Sequence, residues 1–516
     1  MDINARFATI ALQCSVIAIF LSSLGACANR VDSMPVPVSN PKASANAGIA
    51  PLLSVSAPGS ERFFAVGRLH GTKGEGWNCT ATLFASSETP NDNQRARILS
   101  AGHCARMTGD NEVVIDQPMG EGWKFTAKYF HDNKDEHVQV PIERIVYSTM
   151  KSTDVAVMEL GVTYGFMKSL GIKPLLLEEL KTTDSTNEAV HIPMGLFPGG
   201  FFLRHSICQA LSPQAVFEGF QPIREDTPWF FPQAIPTDCI GVYGGSSGAP
   251  VFAKDGTRVI GVLSTAVTPN FNGCGWGRPC EVNANGVISR PEAVYFVSVG
   301  SILKALESDN TLDLSKLDPG TGVALERTGS WSTQAQIKGE DGNVQPAKWN
   351  LKINDGFEFI RYKTGPAYST RCELAKGYGA PLRAADQPLI ELPVGPEEGV
   401  RSMCVIGIKP DETASQPMPY ATVKLREIDN TPPVHVPEIA VQENGDRWGV
   451  LLQLTANENA RANIKYGPQS TTECANMDGY QAYDVSFYLS KDRQWRVCAF
   501  GEDEAGNPGP IVSKDI

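Results

Sequence analysis

The sequence predicts an all-β protein in which a large N-terminal domain of antiparallel strands is followed by two β-sandwich domains. From about residue 62 to residue 308, short runs rich in β-branched and aromatic residues alternate with Gly, Pro and Asn turns. Strands at this spacing, without helices between them, are typical of antiparallel barrels and sandwiches. At 516 residues the chain is too long for one ordinary core, and its C-terminal part contains an internal repeat.

The composition excludes several classes of protein. Hydrophobic residues make up 42 % of the chain and charged residues 20 %, which is typical of a folded globular protein and not of a disordered or fibrous one. The formal net charge of −12 argues against nucleic acid as a partner, because the phosphates would be repelled. The charge says nothing sharper about other partners.

The N-terminus has the pattern of a targeting signal. Arg6 precedes an apolar run over residues 7–24, which ends in Leu24-Gly-Ala-Cys27. Small residues before a cysteine resemble the lipobox of bacterial lipoproteins, in which the cysteine is lipidated and becomes the first mature residue. The sequence therefore predicts a lipoprotein signal peptide over residues 1–27 with lipidation at Cys27. An ordinary signal peptide with an incidental cysteine is the alternative.

This signal predicts an exported protein. We expect a membrane lipoprotein, held at the outer membrane or the cell surface by its N-terminal lipid anchor, or alternatively a periplasmic or secreted protein. Residues 28–60 are rich in Pro, Ser, Ala and Asn, which predicts a flexible tether. A removed propeptide is the open alternative for the same residues.

Three short motifs contain the residue types that nucleophilic acyl transfer uses. A histidine, an aspartate and a serine are each framed by small or apolar residues, and they are separated by 51 and then 93 positions. If one pocket gathers them, the serine hydroxyl gains a base, and the base gains a partner that fixes its tautomer. The motifs are Leu99-Ser-Ala-Gly-His103-Cys104, Thr153-Asp154-Val-Ala-Val157 and Gly245-Ser-Ser247-Gly-Ala-Pro250.

These motifs resemble those of the trypsin-like (chymotrypsin-fold) serine peptidases. Cys79-Thr-Ala-Thr-Leu resembles the strand before the family's histidine, and residues 294–303 resemble the final strand and helix of the fold. The resemblance covers roughly half of the chain, residues 61–308, and four motifs agree in order and spacing. It implies a double antiparallel β-barrel with a C-terminal helix, for which the apolar spacing predicts residues 297–306.

The resemblance also implies roles for individual residues. Ser247 would be the nucleophile and His103 the general base, while Asp154 would orient and stabilise the imidazolium. The backbone N–H groups of Gly245 and Ser247 would form the oxyanion hole. The implied activity is that of a serine endopeptidase acting on a protein or peptide, with no metal and no organic cofactor. A non-catalytic surface-binding protein or adhesin on a protease-like scaffold is the alternative.

The serine motif also fits a different class of hydrolase. Gly244-Gly-Ser246-Ser-Gly248 fits the nucleophile elbow of the α/β-hydrolases, with Ser246 as nucleophile. That family orders its triad Ser, acid, His, so it needs a histidine downstream of the serine. The only downstream histidine is His435, in a Pro-rich stretch that is typical of an interdomain linker. This argues against a lipase or esterase.

The substrate pocket is less well defined by the sequence. In the family, an acid six residues before the nucleophile selects Lys or Arg, and here that residue is Gly241. A histidine just before the serine of the pocket-wall strand, here Ser264, would select acidic side chains, and Leu263 stands there instead. With Ala266 two residues further on, these residues predict an uncharged pocket and cleavage after an apolar or small residue.

Ten cysteines remain when Cys14 and Cys27 of the signal are set aside. An even number without a C-x-x-C pair predicts disulfides rather than zinc ligands in an exported protein. For the four cysteines of residues 208–280 three connectivities are open, of which one is favoured, and each C-terminal repeat is expected to hold one disulfide. The predicted pairs are Cys79–Cys104, Cys208–Cys239, Cys274–Cys280, Cys372–Cys404 and Cys474–Cys498.

The C-terminal part of the chain is an internal duplication. Gly365-Pro366-x5-Cys372-x4-Gly377-Tyr378 recurs after 102 residues as Gly467-Pro468-x5-Cys474-x4-Gly479-Tyr480. We expect β-sandwiches over 335–428 and 438–516, preceded by linkers over 309–334 and 429–437. The copies resemble bacterial Ig-like or fibronectin-like modules in general form. They are interpreted as spacers or as modules that bind substrate or a cell-surface ligand.

The residue before the nucleophile makes a prediction about activation. Many family members have an aspartate there, which pairs with a new N-terminus released by cleavage. Here that position is Ser246, and no Ile-Val-Gly-Gly-like start occurs near residue 60. We therefore expect activity without a cut near Arg62, so mass spectrometry of the active enzyme should find the peptide bonds around Arg62 intact. An activity that requires a new N-terminus near Arg62 would contradict this.

Overall fold

The computed structural model describes residues 50–71, 78–181, 187–191, 202–223, 228–267, 273–329, 331–339, 342–354, 357–409, 415–454 and 459–516. The predicted signal peptide with Cys27, and most of the predicted tether, lie outside the described residues. No helix within the described ranges is long and apolar enough to cross a membrane.

The first part of the chain forms a closed antiparallel barrel of six strands, paired in the order β1–β2–β3–β7–β6–β5 and back to β1, with β4 added to β6. Val155–Met158, at the start of β7, are fully buried, because both faces of that strand are covered. The elements are β1 (Val66–His70), β2 (Asn78–Ala85), β3 (Arg95–Ser100), α1 (Gly102–Ala105), β4 (Val113–Pro118), β5 (Lys124–Ala127), β6 (Val138–Thr149), β7 (Val155–Thr163) and α2 (Tyr164–Ser169).

The next strands form a second antiparallel set in the order β10–β9–β13–β14–β17–β12, whose ends meet at the single bridge Ala210–Thr237. The strand β8 pairs in parallel with β2 and β14 and so joins the two sets, and a side sheet runs β12–β11–β15–β16. The elements are β8 (Leu175–Leu177), β9 (Asn187–His191), β10 (Arg204–Cys208), β11 (Gln214–Glu218), β12 (Trp229–Thr237), β13 (Pro250–Phe252), β14 (Arg258–Ala266), β15 (Cys280–Asn283), β16 (Gly286–Ile288), β17 (Val294–Ser298) and α3 (Gly300–Ala305).

The predicted all-β fold with two barrels and a C-terminal helix is therefore confirmed, with two local corrections. The apolar run Phe63-Phe-Ala-Val66 predicts a strand, but Ser60–Phe63 is a 3-10 helix that buries Phe63, and β1 begins only at Val66. The closing helix begins at Gly300 and not at Val297, because Val297 pairs with Val262 in the β14–β17 ladder.

The two C-terminal copies have the same strand order in their larger sheets, β23–β22–β24–β25 and β29–β28–β31–β32. In the second copy a sheet of β26, β27 and β30 packs on the larger sheet, and in the first the pair β18–β21 does so. The strands are β18 (Leu325–Arg327), β19 (Gln336–Lys338), β20 (Val344–Pro346), β21 (Leu351–Ile353), β22 (Phe359–Pro366), β23 (Leu382–Arg383), β24 (Gly399–Ile408), β25 (Thr422–Ile428), β26 (Glu438–Asn444), β27 (Arg447–Gln453), β28 (Arg461–Pro468), β29 (Gln481–Ala482), β30 (Phe487–Ser490), β31 (Trp495–Glu502) and β32 (Val512–Asp515).

The duplication extends to individual hydrogen bonds. The hydroxyls of Tyr378 and Tyr480 each donate to the carbonyl of their copy's first cysteine, Cys372 or Cys474, at 2.9 Å. A lysine two residues before each Gly-Pro, Lys363 or Lys465, donates to backbone carbonyls of the loop that follows it. Equal contacts at equal positions show that the copies share one local architecture.

Two further features bear on the sequence analysis. The five disulfides of the structure join the same five pairs as predicted. Residues 309–334, expected to be a linker, contain β18 and contribute Val323 and Trp331 to the core of the first copy. That part of the segment belongs to the folded copy, because its large apolar side chains are buried there.

Candidate active site

The first barrel brings His103 and Asp154 together, because neighbouring strands β3 and β7 place the two residues at the same end of the barrel. Asp154 lies directly before β7, and His103 lies in the short helix α1 after β3. Asp154 accepts from the backbone N–H of His103 at 3.0 Å and contacts the imidazole Nδ1 at 2.8 Å. One carboxylate thus fixes both the backbone and the ring of His103.

The second barrel contributes a third contact to the same carboxylate. The hydroxyl of Ser264, on β14, donates a hydrogen bond to Oδ2 of Asp154 at 2.7 Å. Asp154 is only 1 % exposed, so a charge there has little help from water and depends on these donors. The contact between Asp154 and Ser264 therefore ties the two barrels together at the site.

The charges of this pair shift both pKa values. Burial alone would raise the pKa of Asp154, but the adjacent imidazole and the hydrogen bonds from His103 and Ser264 bring it below its ordinary value. Burial alone would lower the pKa of His103, but the Asp154 carboxylate outweighs it and raises that pKa above 6.5. The arrangement stabilises a protonated imidazole, which is what a general base becomes after it accepts a proton.

The candidate nucleophile lies on a tight turn before β13. Gly245 and Gly248 have φ values of 93° and 83°, in the left-handed region that favours glycine. A Cβ on Gly248 would lie 2.1 Å from the carbonyl oxygen of Thr80, so this position has no room for a side chain. Thr80 in turn donates its backbone N–H to the carbonyl of Ser247 at 2.8 Å. The first barrel thereby holds the turn that presents Ser247.

The hydroxyl of Ser247 donates to the backbone carbonyl of Ser264 at 3.3 Å. Among the described residues it makes no hydrogen bond to His103, whose Nε2 lies 3.6 Å from the sulfur of Cys104. Catalytic hydrogen bonds are commonly long in sites without substrate and tighten when substrate binds. Ser264 therefore contacts both the acid and the candidate nucleophile.

The backbone N–H groups of the turn fall into two classes. The N–H groups of Ser246 and Gly248 donate to the carbonyls of Tyr243 and Leu263, at 2.9 and 2.7 Å. Within the described ranges, the N–H groups of Gly245 and Ser247 donate to no protein acceptor. Two unused N–H groups flanking a hydroxyl are what an oxyanion hole requires.

The residues predicted to line the substrate pocket differ in their surroundings. Gly241 is buried with a φ of 68°, and Ala266 packs against the core of the second barrel. Leu263 is 2 % exposed and lies inside that core, opposite Phe296 in the strand ladder. A β-bulge interrupts the ladder between Leu263 and Thr265, and the predicted place of Leu263 in the substrate pocket stays a prediction.

Sequence reasoning missed a buried acidic residue whose charge acts on His103. Glu218, at the end of β11, is 9 % exposed, and its carboxylate accepts from the N–H of Gly277 at 2.5 Å. Burial raises the pKa of Glu218, and its proximity to His103 adds to the raised pKa of the imidazole. Glu218 lies in no motif, so only the pairing of β11 with its neighbours reveals it.

One group of potential metal ligands lies at the site. Atoms of Cys79, His103 and Cys104 are all within 4.8 Å of one another. The two sulfurs form the Cys79–Cys104 disulfide, so neither is a thiolate that could bind a metal ion. The geometry supports no metal centre at these residues.

Comparisons with known proteins concern the fold. No protein-family model matches the sequence, and no curated protein matches it. Structural neighbours include the thermostable serine protease AL20 from an extremophilic microorganism (16 % identity, 46 % of this chain and 92 % of that chain, TM-score 0.31) and the protease Anisep from Arthrobacter nicotinovorans (13 %, 45 % and 89 %, 0.28). Another neighbour is the scabies mite inactivated protease paralogue S-I1 (14 %, 50 % and 96 %, 0.32).

The pair His103–Asp154 makes a prediction about proton binding. An NMR titration of the His103 imidazole should have its midpoint above 6.5, because the Asp154 carboxylate stabilises the protonated ring. In Asp154→Asn that charge is absent, so the midpoint should move to lower pH. Ser264→Ala keeps the charge and is the matched control, with a midpoint still above 6.5. A wild-type midpoint at or below 6.5, or one that Asp154→Asn leaves unchanged, would contradict the prediction.

Proposed function

We propose that this chain is an exported serine endopeptidase that hydrolyses peptide bonds through an acyl-enzyme formed on Ser247. The observation that carries the proposal is the buried Asp154, which accepts from the backbone of His103 and contacts its Nδ1 at 2.8 Å. A hydrogen held on Nδ1 leaves the lone pair of Nε2 as the base. The chain folds on a protease-like scaffold, and this pair gives the scaffold its base.

The proposed reaction uses groups already in place. Nε2 of His103 accepts the hydroxyl proton of Ser247 as Oγ attacks the substrate carbonyl, and the N–H groups of Gly245 and Ser247 stabilise the oxyanion. The imidazolium then donates that proton to the leaving amine, which breaks the C–N bond and leaves the acyl-enzyme. Water, activated by the same imidazole, releases the acid and restores the hydroxyl.

The turn that carries Ser247 supports activity without N-terminal cleavage. Ser246 is buried, and the turn is closed locally by hydrogen bonds from Ser246 to Tyr243 and from Ala249 to Ser246 at 2.9 and 3.0 Å. Upstream of Arg62 the chain continues on the barrel surface, where Leu53 donates its N–H to the carbonyl of Leu203 at 2.9 Å. We propose that the chain uncut near Arg62 is the active form.

Export and anchoring are part of the same proposal. The apolar run over 7–24 and the cysteine that follows it support a signal peptide and lipidation at Cys27. Five disulfides support an oxidising compartment. The substrate is proposed to be a protein or peptide with an apolar or small residue before the cleaved bond, since Gly241 and Ala266 bring no charge to the predicted pocket.

One observation favours a second candidate function. The hydroxyl of Ser247 is hydrogen-bonded to the Ser264 carbonyl and not to His103, which is compatible with a binding protein on a protease-like scaffold. Such a protein would use its surface or its C-terminal copies as an adhesin and would have no reactive serine. Covalent labelling separates the two candidates.

The test is reaction with a fluorophosphonate probe, which labels only an activated serine. The wild-type chain should be labelled at Ser247, and Ser247→Ala should lose the label and lower kcat for a tetrapeptide anilide by about 10⁶-fold, because no other group can form the acyl-enzyme. Ser246→Ala, a change of the adjacent buried serine, is the matched control and should still be labelled. An unlabelled wild type, or equal labelling of Ser247→Ala, would contradict the proposal.

A further inference from the structure

The last strand of the first C-terminal copy is buried in a way that its duplicate is not. All seven residues of β25 (Thr422–Ile428) are buried, whereas every residue of β32 (Val512–Asp515), the strand at the same place in the second copy, is partly or fully exposed. The two strands pair with equivalent partners, since Cys404 faces Val423 and Cys498 faces Ser513. The difference is that β25 and Tyr420, which lies two residues before it, contact the barrels. Tyr420 and Thr422–Ile428 together are termed the clamp strand below.

The clamp strand holds the loop that follows His103. The side chain of Asn111 donates to the carbonyl of Val423 and accepts from its N–H, both at 2.9 Å, as a neighbouring strand would. Beside it, Lys424 forms an ion pair with Asp110 at 2.8 Å, and the two side chains are only 8 % and 16 % exposed. This loop is therefore fixed seven to eight residues from the catalytic base.

The same strand holds the loop that precedes Asp154. Nζ of Lys151 donates to the carbonyl of Tyr420 at 2.7 Å and forms an ion pair with Asp318 at 2.9 Å. The side chains of this ion pair are 3 % and 8 % exposed. Lys151 lies three residues before Asp154, so the buried lysine fixes the chain as it enters the catalytic acid.

A third contact reaches the loop that follows Glu218. The carboxylate of Glu427 accepts from the side chain of Gln221 at 2.8 Å and from the N–H of Ile223 at 2.9 Å. Next to it, Phe217 of β11 shares one apolar cluster with Leu425 of the clamp strand. The clamp strand thus contacts the loop that follows Glu218 and packs against the strand that carries Glu218.

We propose that the clamp strand is a positioning element of the active site, so that the first C-terminal copy is a working part of the protease and not a spacer. It contacts the loop that follows His103, the loop that precedes Asp154 and the loop that follows Glu218. A displacement of about 1 Å at a catalytic group can lower a rate by about 10²-fold. Buried ion pairs suit this role, because removing one partner leaves an unpaired charge and the geometry is therefore strongly specified.

The proposal rests on the proposed function and is tested in the full-length chain with matched lysine variants. Lys424 and Lys514 hold the same register position in the two copies, facing Met403 and Val497. Lys424→Met should lower kcat for a tetrapeptide anilide by about 10- to 100-fold and slow fluorophosphonate labelling by the same factor, with KM little changed. Lys514→Met should leave both rates unchanged, and Lys424→Arg, which keeps the ion pair with Asp110, should stay near wild type.

Asn111→Ala is a second variant, which removes no charge and should lower kcat by the same factor. It tests the proposal even if Lys424→Met fails to fold. Circular dichroism and thermal unfolding check that both variants are folded at the assay temperature. Wild-type kcat and labelling rates in folded Lys424→Met and Asn111→Ala, whatever happens to Tm, would overturn the proposal, because the clamp strand would then contribute stability alone.

A readout that does not need activity separates this proposal from the proposed function. The Nδ1 proton of His103, held by Asp154, gives an NMR signal in wild type whether or not the enzyme turns over. An unlabelled wild type would contradict the proposed function. Positioning by the clamp strand would still be supported if the NMR signal is shifted or lost in Lys424→Met and Asn111→Ala but unchanged in Lys514→Met. An unchanged signal in all three variants would overturn it.

Discussion

The arrangement of the site depends on one buried carboxylate. Asp154 is ionised in a place that water scarcely reaches, and a charge there is tolerated only if donors surround it. Two of its hydrogen-bonding contacts are with His103 and the third is with Ser264 of the other barrel. The close packing around it is strict, since a Cβ on Gly102 would lie 2.1 Å from the carbonyl of Thr149 and 3.0 Å from Oδ1 of Asp154. The donors around ionised Asp154 therefore come from both barrels.

The same constraint explains how the imidazole can serve as a base. His103 lies near two buried acids, Asp154 through direct hydrogen bonds and Glu218 through its charge. Both stabilise the protonated ring, which in the proposed reaction forms when the ring accepts the proton of Ser247. Ser264 completes the arrangement, because its hydroxyl donates to the acid while its carbonyl accepts from the nucleophile. The chemistry and the joining of the barrels thus share one set of contacts.

The sequence could predict the parts of this site that lie in short motifs. His103, Asp154 and Ser247 each adjoin a buried strand or a glycine turn, and such neighbours leave a recognisable local pattern. Glu218 and Lys424 leave none, because acids and lysines are common on surfaces and only tertiary packing brings these two into the interior. Asn111 and Asp110 lie 312 and 314 positions before their partners in the clamp strand, beyond the reach of any local pattern. The duplication was visible in sequence, but the different surroundings of β25 and β32 follow only from what each strand packs against.

In the proposed mechanism Ser247 becomes acylated by a peptide substrate, with His103 as the base. Rapid acid quenching during hydrolysis of a peptide ester, followed by mass spectrometry of the digested protein, measures this step directly. We expect an added acyl mass on the fragment that contains Ser247, assigned by fragmentation to Ser247 and not to Ser246, and its absence in His103→Ala. Ester hydrolysis without acylation of Ser247, or an acyl group on Ser246, would contradict this mechanism.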